Sequence, residues 1–167
     1  MAGFGDSITK VSTTQLHPLG TIVVEPATQA GARADQGEQT WAYVYNDEAS
    51  SAFAEGLVVM RDAGTATYDA ILADASGAVV PNIRILGVAQ HAIAAGSYGF
   101  VLKQGIGEVQ AGDTGNDQAN TPLIVHGTGG QADVMLDGEE EGVFAFSTEN
   151  AGTSVGDKMT CWINCAG

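Results

Sequence analysis

The sequence predicts an all-β fold, either a small β-barrel or a β-sandwich, built from short antiparallel strands with glycine-rich turns. Glycine accounts for 23 of the 167 residues, which favours many turns. Apolar residues alternate with small or polar ones, as the period of two in a pleated strand requires. Only 6 residues are Lys or Arg, so long charged surface helices are not expected. The length fits one domain, placed at residues 20–167 after an N-terminal arm at residues 1–19.

The clearest strand pattern lies in residues 86–103. Tyr98, Phe100 and Leu102 alternate with small or apolar neighbours, and Gly87 and Gly96 frame a tight passage between two apolar runs. The stretch contains no helix signal and no catalytic group, so we interpret it as a structural unit of a barrel or sandwich.

Further strands are predicted from alternation and from the turn residues between them. Residues 47–55 are expected to form one helical turn, and residues 27–39 and 110–120 to form long polar loops. The predicted strands are residues 20–25, 40–46, 57–60, 66–72, 83–90, 105–109, 142–147 and 158–163, together with a strand, turn and strand over residues 123–136.

A weak internal pseudo-repeat relates residues 57–103 to residues 123–163. Both stretches contain a strand, a glycine turn and a strand, followed by two further strands. Short hairpins share such patterns by chance, so a true repeat and a coincidental likeness both stay open.

The first 17 residues are polar, rich in Ser and Thr, and without periodicity. We expect an arm that gains order by lying on a neighbouring subunit or by adding a strand to its sheet.

Charge limits the partners. The net charge of −14 comes from 20 acidic against 6 basic residues, so binding to a nucleic-acid backbone or an anionic membrane is not expected. We find neither a secretory signal nor a run approaching the roughly 18 apolar residues of a membrane span. A soluble chain made and kept in a cytosol-like compartment is expected, with Cys161 and Cys165 as buried or half-buried free thiols.

Candidate chemical sites are weak. Gly105 and Gly107 do not continue into a dinucleotide fingerprint, and no nucleophile elbow is present. The acidic residues 137–141 and the loop 113–117 could bind a cation, but solvated turns are favoured. His17, His91 and His126 lack the spacing of a zinc site. We therefore predict no catalytic, cofactor-binding or metal site, and no enzyme, although an unrecognised hydrolase triad stays open.

The aromatic row Trp41, Tyr43 and Tyr45 lies on one face of a predicted strand. Such a row could stack on sugar rings in a carbohydrate-binding module or an adhesin-like virion surface protein, which is the alternative function. Packing in the core or at an interface is favoured.

Residues 57–103 resemble the capsid decoration (cement) proteins of tailed bacteriophages. The resemblance is carried by a Gly-Val-Ala strand and by an Ala-Ala-Gly-Ser-Tyr-Gly-Phe-Val hairpin, and residues 121–125 and 142–145 match the family's later strands more loosely. This sequence departs from the shorter members of that family in its arm before Gly20 and in its long polar loops. The matching residues are Gly87, Val88, Ala89, Ala95, Gly96, Tyr98, Gly99 and Val101.

This resemblance implies a virion protein on the outer surface of the head. Such proteins often form homotrimers near three-fold positions and bridge neighbouring major capsid subunits, which stabilises the capsid against internal pressure. The resemblance therefore implies the major capsid protein and a second copy of the chain as partners, and it implies no cofactor.

Overall fold

The computed structural model describes residues 7–27, 37–64, 67–75, 78–112, 119–127, 129–150 and 154–167. The fold is all-β, as predicted. Within the described residues, the helical segments are two single 3₁₀ turns at Asn82–Arg84 and Glu140–Gly142. The strands are β1 (Ile22–Glu25), β2 (Gln39–Asn46), β3 (Val58–Arg61), β4 (Asp69–Leu72), β5 (Ile85–Val88), β6 (Tyr98–Gln110), β7 (Pro122–His126), β8 (Gln131–Val134), β9 (Ala145–Ser147) and β10 (Lys158–Asn164).

The strands form one sheet in the order β1-β2-β4-β3-β5-β6-β10-β9-β7-β8. An additional pairing of β2 with β6 closes β2, β4, β3, β5 and β6 into a five-stranded barrel. The expectation of purely antiparallel strands is wrong at one place, because β2 and β4 are parallel. A closed ring with an odd number of strands cannot alternate direction throughout, so one parallel pair is required.

The barrel is filled by small side chains because five strands leave a narrow interior. Ala42 and Val44 of β2 face Val59, Ala70, Leu86 and Val101 in one buried cluster. Phe53 and Ile93, which are paired by reciprocal backbone hydrogen bonds of 2.9 Å, belong to the same cluster.

Residues 47–55 do not form the expected helical turn. Asn46 is buried, and its side-chain Nδ2 donates to the carbonyl oxygens of Ser51 (3.0 Å) and Ile93 (2.9 Å). Its Oδ1 accepts a hydrogen bond from the Glu48 amide at 3.0 Å, which is an Asx turn. These bonds hold the backbone in an irregular course that delivers Phe53 to the barrel, and such local bonds compete with helix formation.

Strand β6 is a single strand of 13 residues, and the separate short strand predicted at 105–109 is wrong. Gly105 has a φ of +124°, and a Cβ there would lie 3.0 Å from the Glu38 carbonyl oxygen. In the sequence, Gly105 resembled the end of a strand. In the structure it lets β6 bend past the backbone of Glu38. The first half of β6 pairs with β2, and the second half pairs with β10.

The second half of the chain repeats the pairing order of the first. β4-β3-β5-β6 on one side of the sheet corresponds to β8-β7-β9-β10 on the other, and a 3₁₀ turn precedes both β5 and β9. A parallel bridge between Ala111 and Ala132 occupies the place of the parallel β2–β4 pair. This order is what the pseudo-repeat of residues 57–103 and 123–163 requires, while a common origin of the two halves stays a prediction.

Residues 7–19 pack on the body of their own chain. Ser12 forms a bridge with Tyr98, Ile8 is buried in the larger hydrophobic cluster, and the Leu16 amide donates to the Tyr43 hydroxyl at 3.1 Å. This part of the chain therefore lies against its own body, and the expectation that the arm gains order on a neighbouring subunit stays a prediction. Residues 1–6 lie outside the described part, and the domain boundary at residue 19 stays a prediction.

Candidate functional site

The predicted aromatic row does not form a binding surface. Trp41 and Tyr43 are fully buried, and Tyr45 is half-buried beside Tyr98 with ring centroids 4.8 Å apart. His17 packs edge-on against Tyr43, with centroids 5.1 Å apart. The favoured interpretation, packing in the core, is confirmed, and Trp41 and Tyr43 are not available to stack on a sugar.

A different aromatic pair is exposed on the second half of the molecule. Trp162 of β10 and Phe146 of β9 are 44% and 47% exposed, although each is a large apolar side chain. They are cross-strand partners, and the same register line continues to Ile106 of β6 and to Pro122 of β7, both half-buried. We call these four residues the apolar row. At about 4.8 Å between strands the row is roughly 14 Å wide.

The alternation along β10 explains why the pair is exposed. Met159, Cys161 and Ile163 point into the core, so Trp162 must point to the opposite face. Phe146 is exposed for the same reason, because its neighbours in β9 are buried. The aromatic rings therefore lie on the outward side of a rigid sheet.

Two carboxylates flank the apolar row. Glu108 lies two residues from Ile106 on β6, and its Oε1 lies 3.4 Å from the Thr160 hydroxyl. Glu149 Oε1 accepts a hydrogen bond of 2.8 Å from the Thr160 amide, and this bond holds the pKa of Glu149 below its usual value. Both carboxylates therefore lie beside Thr160, two residues along β10 from Trp162.

The basic residue on the outward side of β6, β9 and β10 forms an ion pair with a carboxylate. Among the outward positions of β6, β9 and β10, the basic residue is Lys158, and its ammonium group pairs with the Glu55 carboxylate. Both partners are exposed, so this ion pair contributes little to stability. The local charge beside the apolar row is therefore negative.

The other candidate residues do not assemble into a site. In the described part of the chain, no group of three or more His, Cys, Asp or Glu could hold a metal ion. His17 lies against Tyr43, His91 follows β5 in a bend, and His126 ends β7. The acidic residues 137–141 form a turn that runs into a 3₁₀ turn, while the loop 113–117 lies outside the described residues.

Cys161 and Cys165 are buried thiols outside any disulfide, as predicted. Burial raises the pKa of Cys165 to about 12, although nearby Lys103 acts in the opposite direction. The pKa of Lys103 is lowered by burial, and its ammonium group donates to the carbonyl oxygen of Gly167. A protonated, buried thiol is a poor nucleophile, so Cys165 has a packing role.

The chain was compared with known proteins. No family model and no curated protein matches the sequence. Its fold is similar to that of a phage head fiber base. The solved structure is described as the crystal structure of head fiber gp8.5 N base in bacteriophage phi29. The TM-score is 0.52 at 18% identity, over 75% of this chain and 94% of that chain, which shows a shared fold.

The sequence patterns did not single out Trp162 and Phe146. The available signal was the phase of β10, where the apolar residues at 159, 161 and 163 set the core face and Trp162 breaks that phase. The two predicted long polar loops, residues 27–39 and 110–120, have their central parts (28–36 and 113–118) outside the described residues. Across the described ranges, none of the helices has the length and apolar character needed to cross a membrane.

Proposed function

We propose that this chain is a decoration protein of a tailed-phage head. It binds the outer surface of the assembled capsid, bridges neighbouring major capsid subunits and stabilises them against internal pressure. The observation that carries this proposal is the fold shared with a phage head fiber base over 94% of that chain. The sequence resemblance of residues 86–103 to decoration proteins supports it independently.

The architecture suits such a role. A bridging protein must transmit force between its contacts, and a sheet of ten strands with two buried clusters provides a rigid body. It also needs an exposed apolar contact with a polar rim, which the apolar row and its flanking carboxylates provide. We propose that the protein is not an enzyme and that it acts as a homotrimer at the head surface.

Binding to expanded heads that lack the protein tests this function. Co-sedimentation should show saturable occupancy, and decorated heads should release DNA at a higher temperature than bare heads. A matched control is a chain of similar charge with another fold, because simple electrostatic adsorption would retain both proteins. Heads that neither bind the chain nor gain thermal resistance would contradict the proposal.

A carbohydrate-binding module or adhesin-like surface protein is the second candidate. The exposed Trp162 and Phe146 pair is the observation that favours it, because exposed aromatic faces stack on sugars. Binding to a glycan array, abolished by Trp162→Ala and unaffected by the presence of heads, would favour this function over decoration.

A further inference from the structure

We infer that the apolar row and its flanking carboxylates form a docking face for a basic, apolar-containing segment of a partner protein. The inference rests on the proposed function, in which the partner is a capsid subunit, and it adds the face and the chemistry that the partner must present. Three observations carry it, namely exposure, register and charge.

Exposure and register provide the apolar contact. Trp162 and Phe146 are about half exposed and lie side by side, held by the pairing of β10 with β9. Ile106 and Pro122 extend the apolar surface on either side along one register line. A rigid row of this kind can be buried by a partner without a loss of backbone order in the sheet.

Charge defines the partner. Glu108 and Glu149 lie beside Thr160, roughly 7 Å along the strands from the apolar row at about 3.4 Å per residue. Lys158 is paired with Glu55, so the charge presented beside the row is negative. A segment with apolar side chains about 7 Å from Lys or Arg side chains complements this pattern, and a cation can also lie over the indole ring of Trp162.

A second copy of the chain does not fit the same face. Each copy carries a net charge of −14, and pairing two such faces would bring Glu108 and Glu149 of both copies together. We place the contacts of the proposed trimer on other surfaces, which leaves this face available to a capsid subunit.

Fluorescence of Trp162 provides the direct test. The chain has two tryptophans, and Trp41 is fully buried, so a change in the emission of the full-length protein on binding reports on Trp162. The probe is a short synthetic peptide that places lysine two residues from leucine, so that both side chains lie on one face of an extended segment, and its control replaces lysine with glutamate. We expect a blue shift with the basic peptide, none with the acidic peptide, and weaker binding as salt is raised.

Variants separate docking from charge attraction. Phe146→Ser and the double variant Glu108→Gln with Glu149→Gln should each weaken binding of the basic peptide about tenfold, as truncation at an interface hot spot does. Asp137→Asn, which removes one charge from an exposed turn elsewhere, is the matched control and should change binding less than about twofold. Equal effects of Asp137→Asn and the double variant, or none from Phe146→Ser, would overturn the inference.

Heads distinguish this inference from the proposed function. Suppose that the wild-type chain binds heads, that Phe146→Ser abolishes this binding, and that Leu136→Ser, the exposed apolar control, does not change it. This result would support both the decoration proposal and the docking face. If Phe146→Ser binds heads as the wild type does, decoration stands and the docking face is wrong. If neither the wild type nor any variant binds heads while the basic peptide binds as expected, the decoration proposal is wrong and the docking face is supported. Saturable binding of a glycan, or self-association that Phe146→Ser abolishes, would show that a glycan or a second copy of the chain occupies this face instead of a capsid segment.

Discussion

The two halves of the molecule share a strand order and differ in what covers them. In the first half, Tyr43 of β2 and Phe100 of β6 belong to the larger hydrophobic cluster, and His17 packs against both rings. In the second half, the outward face of β10 and β9 carries Trp162 and Phe146, which stay about half exposed. The same architecture thus supports a closed core on one side and an open contact surface on the other.

The contrast shows that exposure here is a property of position and not of side-chain type. An aromatic ring on the first face completes a buried cluster and stabilises the fold by burial. An aromatic ring on the second face contributes less to folding, because nearly half of it is exposed, and it is accessible to another molecule.

The largest expected effect follows from substituting one ring on each face. Phe100→Ala should destabilise the protein by about 3–5 kcal/mol, because it leaves a cavity beneath residues 7–23. Trp162→Ala should cost less, about 1–2 kcal/mol, because nearly half of its side chain is already exposed in the folded protein. Urea unfolding followed by circular dichroism measures both, and similar losses from the two variants would remove the contrast between the faces.

Removing the cover should convert the first face into one like the second. Deleting residues 1–17 exposes the Tyr43 hydroxyl and ring, and we expect a loss of roughly 2–3 kcal/mol, near the value for burying one large apolar side chain. The far-ultraviolet dichroism should stay that of a β protein, while binding of a hydrophobic dye increases. Dye binding and stability equal to those of the full chain would show that the segment covers nothing of consequence.

The coupling between the halves can be tested at the β7–β8 turn. Gly130 has a φ of +77°, and a Cβ there would lie 2.6 Å from the Val58 carbonyl oxygen of the first half. Gly130→Ala should therefore cost about 2 kcal/mol or more, from backbone strain and from a shift of β3. The control is Gly129→Ala, where φ is +89° but no atom lies within 4 Å, and about 1 kcal/mol is expected. Equal costs in urea unfolding would mean that the contact between the halves is loose.

The smallest effect concerns Glu149 on the open face. Because its folded pKa is lowered mainly by the Thr160 amide, its carboxylate favours the folded state above the ordinary Glu pKa of about 4.3. That contribution is lost as the pH falls through the lowered folded value. In an NMR titration, the Thr160 amide shift should report a pKa below that of a model glutamate, and Glu149→Gln should abolish the titration. A midpoint at the model value would contradict the hydrogen bond.

Much of the fold could be predicted because it depends on local patterns. Alternation located β2, β3 and β10, and glycine turns located the two hairpins. The errors arose where distant residues decide the structure. Asn46 bonds Ile93 across the chain and prevents a helical turn, and Gly105 bends a strand instead of ending it. Neither partner is visible in the local sequence.

The candidate site was less predictable for a related reason. Sequence alone identified Trp41, Tyr43 and Tyr45 as an aromatic row and favoured its packing, but it did not show that Leu16 and His17 contact Tyr43. Trp162 and Phe146 lie in different strands, and only their register shows that they are neighbours. The phase of Trp162 within β10 was the one local hint of an exposed ring.

One map tests the central proposal most directly, a cryo-electron microscopy reconstruction of expanded heads to which the purified chain has been added. We expect full occupancy on the outer surface, with the Trp162 and Phe146 face against a segment of the major capsid protein that carries Lys or Arg. Heads without density for the added chain would contradict decoration. Bound protein with the Trp162 and Phe146 face turned toward solvent would contradict the docking face.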